Sequence, residues 1–310
     1  MALKLSSKPI IIAATASAVV FGVGGYIWNE DHRPQMLDIY VFNLSSGRSM
    51  FIRTPDDYRV LIDGGSNSDV IRELTKIIPF YSRRIDTLIA TNTDGKNVSG
   101  LIDLLNRYRV DEIYLPAVTL HNLGLASDTD PIYQALLQRI ADTKVPVHEI
   151  AAGNTILFGK AVSAKIHFPV EPADFVYSRA SAPEVLFTLK FAATSVTFLG
   201  NASHKVQEFL AATSSHVTAT DAVIVSHSAL PANMSVRLMN ELKPKFLVYS
   251  KQLASANNSG TASKPAATLK KKSAKIPPDP LASISIDHRL NIKEIGTIHV
   301  VSDGTSLTIK

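Results

Sequence analysis

The sequence contains no cysteine, which excludes disulfide bonds, thiolate metal sites and a cysteine nucleophile. It also lacks a G-x-S-x-G nucleophile elbow, a phosphate-binding P-loop and a dinucleotide-binding fingerprint. Eight of its nine histidines show no His-x-His or His-x3-His spacing and are interpreted as surface or packing residues: His32, His121, His148, His167, His204, His216, His288 and His299. A chain without cysteine suits an exported bacterial domain.

A strong charge of one sign is also missing from most of the chain. The net charge is +5, but eight lysines lie in residues 1–8 and 251–275, where there is no acidic residue. The remainder has 24 basic and 27 acidic residues. This balance argues against extensive duplex binding by the domain surface.

With 310 residues, 45% of them apolar, the chain can form one large domain or two small ones.

Residues 9–28 carry no charge and run for about one bilayer thickness. Lys4 and Lys8 precede this run, and Glu30 and Asp31 follow it, so we expect residues 1–8 in the cytoplasm and an exported remainder. The sequence therefore predicts a single-pass membrane protein whose C-terminal domain, residues 36–310, is extracytoplasmic. The alternatives are a cleaved signal peptide, although the A-x-A-like triplet at 16–18 lies too early in the run, and a buried helix.

Strands and helices alternate along the rest of the chain, which predicts an α/β fold. Three strands within residues 37–62 form a predicted antiparallel meander. Helices are expected at 69–78, 97–108, 131–142, 204–212 and 235–242. Further strands are expected at 85–90, 112–116, 145–150, 155–158, 162–168, 185–191, 195–199, 221–225, 245–250, 297–302 and 306–310.

Residues 251–280 are rich in Ala, Ser, Asn, Lys and Pro and have almost no large apolar residue. Such a stretch cannot bury enough surface to offset the entropy of ordering it, so it is predicted to be a disordered insertion. Its lysines are interpreted as a solvated charge run, with a specific anion-binding motif as the alternative: Lys264, Lys270, Lys271, Lys272 and Lys275.

Polar loops follow several predicted strands, at residues 92–97, 200–203 and 226–228. The first of these leads into a helix, which is where α/β proteins often place their chemistry. It has the spacing of a metal-binding loop, but most of its side chains are poor metal ligands. Asp63 ends a further strand, before two glycines; it is interpreted as a turn residue, with a site carboxylate as the alternative.

Several segments, taken in order, resemble the metallo-β-lactamase fold, and specifically the exported domain of ComEC-type DNA-uptake proteins. The resemblance covers about residues 36–310. The segments are Arg53-Thr54-Pro55-Asp56, Val60-Leu61-Ile62-Asp63-Gly64-Gly65, Arg84-Ile85-Asp86-Thr87-Leu88-Ile89, Phe198-Leu199-Gly200-Asn201-Ala202, Val225-Ser226-His227, Leu242-Lys243-Pro244-Lys245-Phe246 and Val301-Ser302-Asp303-Gly304.

This resemblance implies a four-layer αββα sandwich with its site at the edge between two sheets. The family's metal loop, His-x-Asp-x-Asp-His, corresponds to Asn92, Asp94, Lys96 and Asn97. Its bridging aspartate corresponds to Asn201. Its paired histidines correspond to His227 and Ser228, and the Lys-rich insertion occupies the region of its Tyr-Gly-His-Pro segment.

These replacements predict a degenerate site without a metal cofactor. Neutral amides are poor ligands for zinc or manganese, and the Lys96 ammonium would repel a divalent ion. One hypothesis is that Lys96 replaces the charge of the metal by pairing with Asp94 and Asp63; the alternative is that it points to solvent. A rebuilt zinc or manganese site would have to use Asp63, Asp94 and His227.

Three functions therefore compete. The first is a catalytically inactive binding or scaffolding domain related to DNA uptake, in which the lysines of the insertion contact DNA or an anionic polymer. The second is an active metal-dependent hydrolase or nuclease with a rebuilt site. The third is an envelope protein that binds a partner protein and no nucleic acid. The chain has no second apolar run of bilayer length, so a separate protein would have to supply any channel.

Overall fold

The computed structural model describes residues 35–118, 130–178, 183–213, 218–225, 234–250, 281 and 284–310. Fifteen strands are formed within these residues: β1 Leu37–Val41, β2 Met50–Arg53, β3 Arg59–Ile62, β4 Arg84–Ile89, β5 Arg109–Pro116, β6 Val147–Ile150, β7 Thr155–Phe158, β8 Val162–Phe168, β9 Leu186–Phe191, β10 Thr194–Gly200, β11 Ala222–Val225, β12 Phe246–Tyr249, β13 His288–Asn291, β14 Ile298–Ser302 and β15 Leu307–Ile309. The helices are α1 Asp69–Thr75, α2 Gly95–Arg107, α3 Pro131–Thr143, α4 His204–Ala212, α5 Val236–Leu242 and α6 Ile292–Ile295.

The first sheet has eight strands in the order β15-β14-β1-β2-β3-β4-β5-β6. The meander of β1, β2 and β3 is antiparallel, as the sequence predicts, whereas β3 to β6 are parallel neighbours. Strands β1, β3, β4 and β5 consequently run in the same direction. Their carboxyl ends lie on one edge of the sheet and their amino ends on the opposite edge.

The second sheet has seven strands in the order β13-β12-β11-β10-β9-β8-β7. Its β7–β10 half is antiparallel, and its β10–β13 half is parallel. The parallel half requires crossover connections, and α4 and α5 lie in the sequence segments that join its strands.

Three apolar clusters show how the layers stack. One contains side chains from both sheets, such as Ile52 and Phe187, and lies between the sheets. Another joins the outer face of the first sheet to α1, α2 and α3, and includes Leu74, Leu104 and Leu136. The last joins the outer face of the second sheet to α4 and α5. The described part of the chain is therefore a mixed α/β sandwich of two sheets with helices on both outer faces.

The predicted elements agree with the structure to within a few residues, with two exceptions. The helix after β4 begins at Gly95, so it includes part of the stretch expected to be a loop up to residue 97. The short elements β13 and α6 were not predicted. Strand β13 lies at the edge of its sheet. Its sequence, His-Arg-Leu-Asn, is largely polar and therefore lacks the apolar alternation that marks a half-buried strand.

Two predicted segments, the apolar run at 9–28 and the insertion at 251–280, lie outside the described residues. Within the part of the chain that the structure describes, no helix is long and apolar enough to cross a membrane. The membrane anchor and the disordered insertion therefore stay predictions from the sequence.

Candidate functional site

The carboxyl ends of β3 and β4 bring Asp63 and Thr91 into contact. These strands are parallel neighbours, and the Asp63 N–H donates to the carbonyl of Ile89 at 2.9 Å. The Asp63 carboxylate in turn accepts from Thr91 N at 2.8 Å and from Thr91 Oγ1 at 2.6 Å. Asp63 is fully buried, so both oxygens depend on protein donors.

The interpretation of Asp63 as a turn residue was incomplete. A turn does follow β3, and Gly65 has a φ of +68°. However, Asp63 itself has a φ of +56°, in the left-handed region that non-glycine residues seldom adopt. Its carbonyl accepts from Ser49 Oγ at 2.8 Å. Its carboxylate is buried and hydrogen-bonded at the end of β3, so Asp63 does more than close a turn.

Arg48, which follows a turn before β2, places a cation against this carboxylate. Its Nε donates to Asp63 Oδ2 at 2.7 Å. Its Nη2 lies 2.6 Å from Thr91 Oγ1 and 2.6 Å from Glu184 Oε1. The guanidinium also lies 5.6 Å from the centroid of the Phe198 ring. Arg48 is thus buried between two carboxylates, which its planar, multi-donor group is suited to bridge.

Glu184 lies in the segment before β9. Together with Arg48, Asp63 and Thr91 it forms a buried group that we call the Arg48 cluster. Its Oε1 accepts from the Asn201 backbone N–H at 2.8 Å, and the nearby Asn92 side chain favours its charged form. Gly200 makes room for this carboxylate. Its φ is +49°, and a Cβ there would lie 1.7 Å from Glu184 Oε1. Only a glycine therefore satisfies both the backbone and the close approach.

The electrostatics of the cluster follow from two carboxylates sharing one guanidinium. Burial alone would lower the pKa of Arg48, but Glu184 and Asp63 together raise it above its usual value. Burial raises the pKa of Glu184, against the opposing effects of Arg48 and the Asn201 N–H. With both acids ionised, these three side chains carry one net negative charge. Holding that charge away from water is costly, so the three groups depend on one another.

The structure brings four of the predicted site residues together. Asp63 belongs to the cluster, Asn92 lies close enough to Glu184 to favour its charged form, and Asn201 contacts Glu184 through its backbone N–H. Asn97 donates from Nδ2 to Asn92 Oδ1 at 3.3 Å, and its carbonyl accepts from Gly64 N at 2.6 Å. The side-chain amides of Asn92 and Asn97 therefore form a hydrogen-bonded pair beside the buried ion pair, and Asn201 contributes its backbone N–H.

Asp94 and Lys96 lie at the exposed rim of the site. Asp94 is the N-cap of α2, and its Oδ1 accepts from the Lys96 N–H at 3.0 Å. Asp94 is close enough to Arg48 to favour its charged form. The hypothesis that Lys96 pairs with Asp94 and Asp63 is wrong: the Lys96 ammonium forms no ion pair with either one, and Arg48 holds Asp63 instead. Lys96 is exposed on the first turn of α2, whose apolar face turns inward.

The other two predicted site residues, His227 and Ser228, lie outside the described residues. Among the residues that the structure describes, no three histidine, aspartate or glutamate side chains are grouped so that they could hold a metal ion. The donor chemistry explains this. Arg48 occupies the space between Asp63 and Glu184, and the neighbouring side chains at positions 92 and 97 are neutral amides. These residues do not fit a zinc or manganese pair.

The sequence prediction missed Arg48 and Glu184, the two residues that complete the cluster. The sequence did contain one indication. If Asp63 is buried and binds no metal, another cation must lie close to its carboxylate. Both Arg48 and Lys96 lie near ends of strands in the first sheet. Their positions in the sequence do not show which of the two reaches Asp63. Nothing in the sequence around Glu184 marks it, because its role depends on contact between the two sheets.

No protein-family model matches the chain, and no curated protein matches it. Solved structures similar to it include CmlA, a diiron beta-hydroxylase from Streptomyces venezuelae, with 15% identity over 70% of this chain and 45% of that one and a TM-score of 0.47. Yeast PDE1 is 10% identical over 71% of this chain and 90% of that one, with a TM-score of 0.48. Rm3 metallo-beta-lactamase is 12% identical over 60% of this chain and 74% of that one, with a TM-score of 0.40.

The chain spans less than half of the length of CmlA. At identities of 10–15% and TM-scores of 0.40–0.48, these similarities assign neither an activity nor a metal to this chain. Rm3 is a metallo-beta-lactamase by name, the fold family that the sequence resembles. None of the three is a ComEC-type protein by name, and the family resemblance of the chain stays a prediction from its sequence.

Proposed function

We propose that this chain is a membrane-anchored, extracytoplasmic domain without metal-dependent catalysis, with a binding or scaffolding role related to ComEC-type DNA uptake. The observation that carries the proposal is the buried ion pair of Arg48 with Asp63 and Glu184, at 2.7 and 2.6 Å. Metal-dependent hydrolysis needs anionic ligands that are free to hold a cation and activate a water. Here the two buried carboxylates are already occupied by a guanidinium.

The proposed location rests on the sequence. The uncharged run at 9–28, with Lys4 and Lys8 before it and Glu30 and Asp31 after it, favours an anchor with the domain outside the cytoplasm. The proposed ligand is DNA or another anionic polymer, contacted by the lysines of the insertion: Lys264, Lys270, Lys271, Lys272 and Lys275. Such contacts release counterions, so the binding should weaken steeply as the salt concentration rises.

Metal analysis combined with a nuclease assay on the full chain in detergent tests the loss of catalysis. We expect zinc and manganese far below one equivalent and no nuclease activity above that of a mock preparation. Near-stoichiometric metal, lost together with activity in Asp94→Ala, would establish instead the alternative function, a metal-dependent hydrolase or nuclease with a rebuilt site at Asp63, Asp94 and His227.

Binding of a labelled single-stranded oligonucleotide, measured against salt, tests the ligand. Deleting residues 264–275 removes all five lysines, whereas deleting residues 252–263 removes the same length of insertion and no lysine. We expect the first deletion to abolish the salt-dependent binding and the second to preserve it. Absent or salt-insensitive binding by the full chain would favour the third function, an envelope protein that binds a partner protein, such as a separate channel, and no nucleic acid.

A further inference from the structure

Two neighbouring aromatic side chains, Phe80 and Tyr81, protrude from the turn between α1 and β4. They are 79% and 72% exposed, and their rings meet edge to face at 5.4 Å. Adjacent large aromatic side chains are seldom left in water without a function. We call this pair the aromatic tip.

The aromatic tip is held by a well-bonded turn. Ser82 N donates to the carbonyl of Pro79 at 2.9 Å, and Arg59 Nη1 donates to both the carbonyl and Oγ of Ser82 at 2.9 Å. The next residue is tied to the sheet, since Arg109 N donates to the carbonyl of Arg83 at 3.0 Å. A turn fixed in this way presents its rings at little entropic cost on binding.

Arg83 and Arg84 follow the aromatic tip in the sequence, and Arg84 lies opposite Arg109 where β4 pairs with β5. Arg84 and Arg109 are paired with Asp111, at 2.6 and 3.0 Å. Arg83 and Arg107 are exposed and, among the described residues, form no ion pair. Exposed aromatic side chains beside unpaired arginines are suited to the boundary between anionic lipid headgroups and acyl chains.

The position of the tip in the fold identifies the surface that it would meet. Strands β1, β3, β4 and β5 run in the same direction, so the amino end of β1 at Leu37 and the turn before β4 lie on one edge of the first sheet. Three strand spacings separate β1 from β4, a distance of about 14 Å. Asp63 and Thr91 lie at the carboxyl ends of these strands, on the opposite edge.

We propose that this edge of the first sheet docks on an anionic lipid bilayer through Phe80, Tyr81, Arg83 and Arg107. The inference rests on the membrane anchorage proposed above. Residues 29–36 can span at most about 28 Å, so an anchored domain stays within reach of the bilayer. The anchor keeps the domain at a high effective concentration near the bilayer, so a weak contact is sufficient to orient the domain. Docking on this edge points the Arg48 cluster away from the membrane.

A lipid surface fits these observations better than a single-stranded nucleic acid. Binding of single strands combines stacked aromatic side chains with a positively charged groove that follows the backbone. Here the rings protrude, and the nearby carboxylates of Asp86 and Asp111 neutralise Arg84 and Arg109. Insertion into a bilayer needs only a protruding apolar tip with a few cations beside it.

Because the chain has no cysteine, environment-sensitive fluorophores can be attached at single introduced cysteines. The full chain is reconstituted in nanodiscs of phosphatidylglycerol and phosphatidylcholine that contain spin-labelled quencher lipids. A label at Phe80→Cys is expected to shift to the blue and to be quenched. A label at Leu157→Cys, a 69% exposed position on β7 of the other sheet, is expected to stay unquenched.

A label at Asn106→Cys, which is exposed next to Arg107, measures the contribution of the rings. We expect the double variant Phe80→Ser, Tyr81→Ser to remove the quenching of this label, and the control Leu157→Ser to leave the quenching unchanged. The double variant Arg83→Ser, Arg107→Ser should abolish the difference in quenching between anionic and pure phosphatidylcholine nanodiscs. Equal, unquenched signals at positions 80 and 157 would overturn the docking.

A label at Val20→Cys separates the two proposals. Quenching at position 20 without quenching at position 80 retains the anchor and overturns the docking, whereas an unquenched label at position 20 overturns both. A response at position 80 to a thymidine oligonucleotide, with none to lipid, would overturn the lipid assignment in favour of single-stranded nucleic acid.

Discussion

The Nη2 atom of Arg48 lies 2.6 Å from Oε1 of Glu184, and the two residues lie just before strands of different sheets of the sandwich. Arg48 precedes β2 of the first sheet, and Glu184 precedes β9 of the second. The same guanidinium binds Asp63 at the end of β3. One cation therefore joins the two sheets at the edge where the sequence resemblance places a metal site, and several predictions depend on that contact.

Replacing Arg48 by Met should cost about 3–5 kcal/mol of unfolding free energy, because it leaves Asp63 and Glu184 buried without a cation. Arg48→Lys should cost less, since an ammonium restores the charge but cannot bridge all three acceptors. Urea unfolding followed by circular dichroism measures both. Arg83→Met is the control, and this exposed position should change the stability by no more than about 0.5 kcal/mol. A variant Arg48→Met as stable as the parent would show that the cluster contributes little.

Chelation should leave the stability of the chain unchanged. A protein held by a structural metal is destabilised when the metal is removed, because the free energy of metal binding contributes to folding. Here Arg48 supplies the positive charge between the carboxylates. We therefore expect the same Tm with and without EDTA, measured by differential scanning calorimetry. A Tm that falls with EDTA and recovers with zinc or manganese would refute this expectation.

The free energy of unfolding should depend on pH through Glu184. Burial raises the pKa of this carboxyl group above its ordinary value of 4.5. The folded state therefore keeps this proton to a higher pH than the unfolded state does. The unfolding free energy contributed by this group is fully present below pH 4.5 and falls as the pH rises through the folded-state pKa. Glu184→Gln cannot ionise. The stability of the parent relative to this variant should thus be greatest near pH 4 and decrease toward pH 7.

Unfolding midpoints of the parent and Glu184→Gln, measured at a series of pH values, test this sign. Glu149→Gln is the matched control, because Glu149 is exposed on β6. A parent chain that gains stability relative to Glu184→Gln as the pH rises would mean that Arg48 and the Asn201 N–H outweigh burial.

Gly200→Ala should destabilise the chain by more than 2 kcal/mol, about twice the cost of a left-handed backbone alone. Its Cβ would lie 1.7 Å from Glu184 Oε1, so the carboxylate would have to move away from Arg48. Gly153→Ala is the control for the backbone term. Its φ is +91°, and nothing lies within 4 Å of the added Cβ. Equal losses of stability in the two variants would show that the Glu184 carboxylate can move at no cost.

Local patterns made most of the fold predictable. The helix α4, for example, was expected at residues 204–212 and forms over that range, because Ser203 caps it and its apolar residues recur with the helical period. The meander β1–β3 followed from alternation and turn residues in the same way. Strand β13 could not be predicted, since its partner β12 is about forty residues earlier and its own sequence is largely polar.

The candidate site was only partly predictable. The sequence singled out Asp63 and, through its resemblance to the metallo-β-lactamase fold, predicted a site without most of the family's metal ligands. It also raised the question of which cation compensates the remaining carboxylates. One hypothesis named Lys96, because that residue lies in the loop itself, and the alternative left Lys96 in solvent. The structure shows Arg48 in that position, from a turn more than forty residues earlier in the chain.

The sequence by itself determined most of the elements and their order, because propensity and periodicity are local properties. Only the tertiary structure decided that Arg48 bridges Asp63 and Glu184 and that the aromatic tip lies on the edge opposite to them. Both depend on the pairing directions of strands and on the packing of one sheet against the other. Those contacts join residues that are far apart in sequence, where no local pattern relates them.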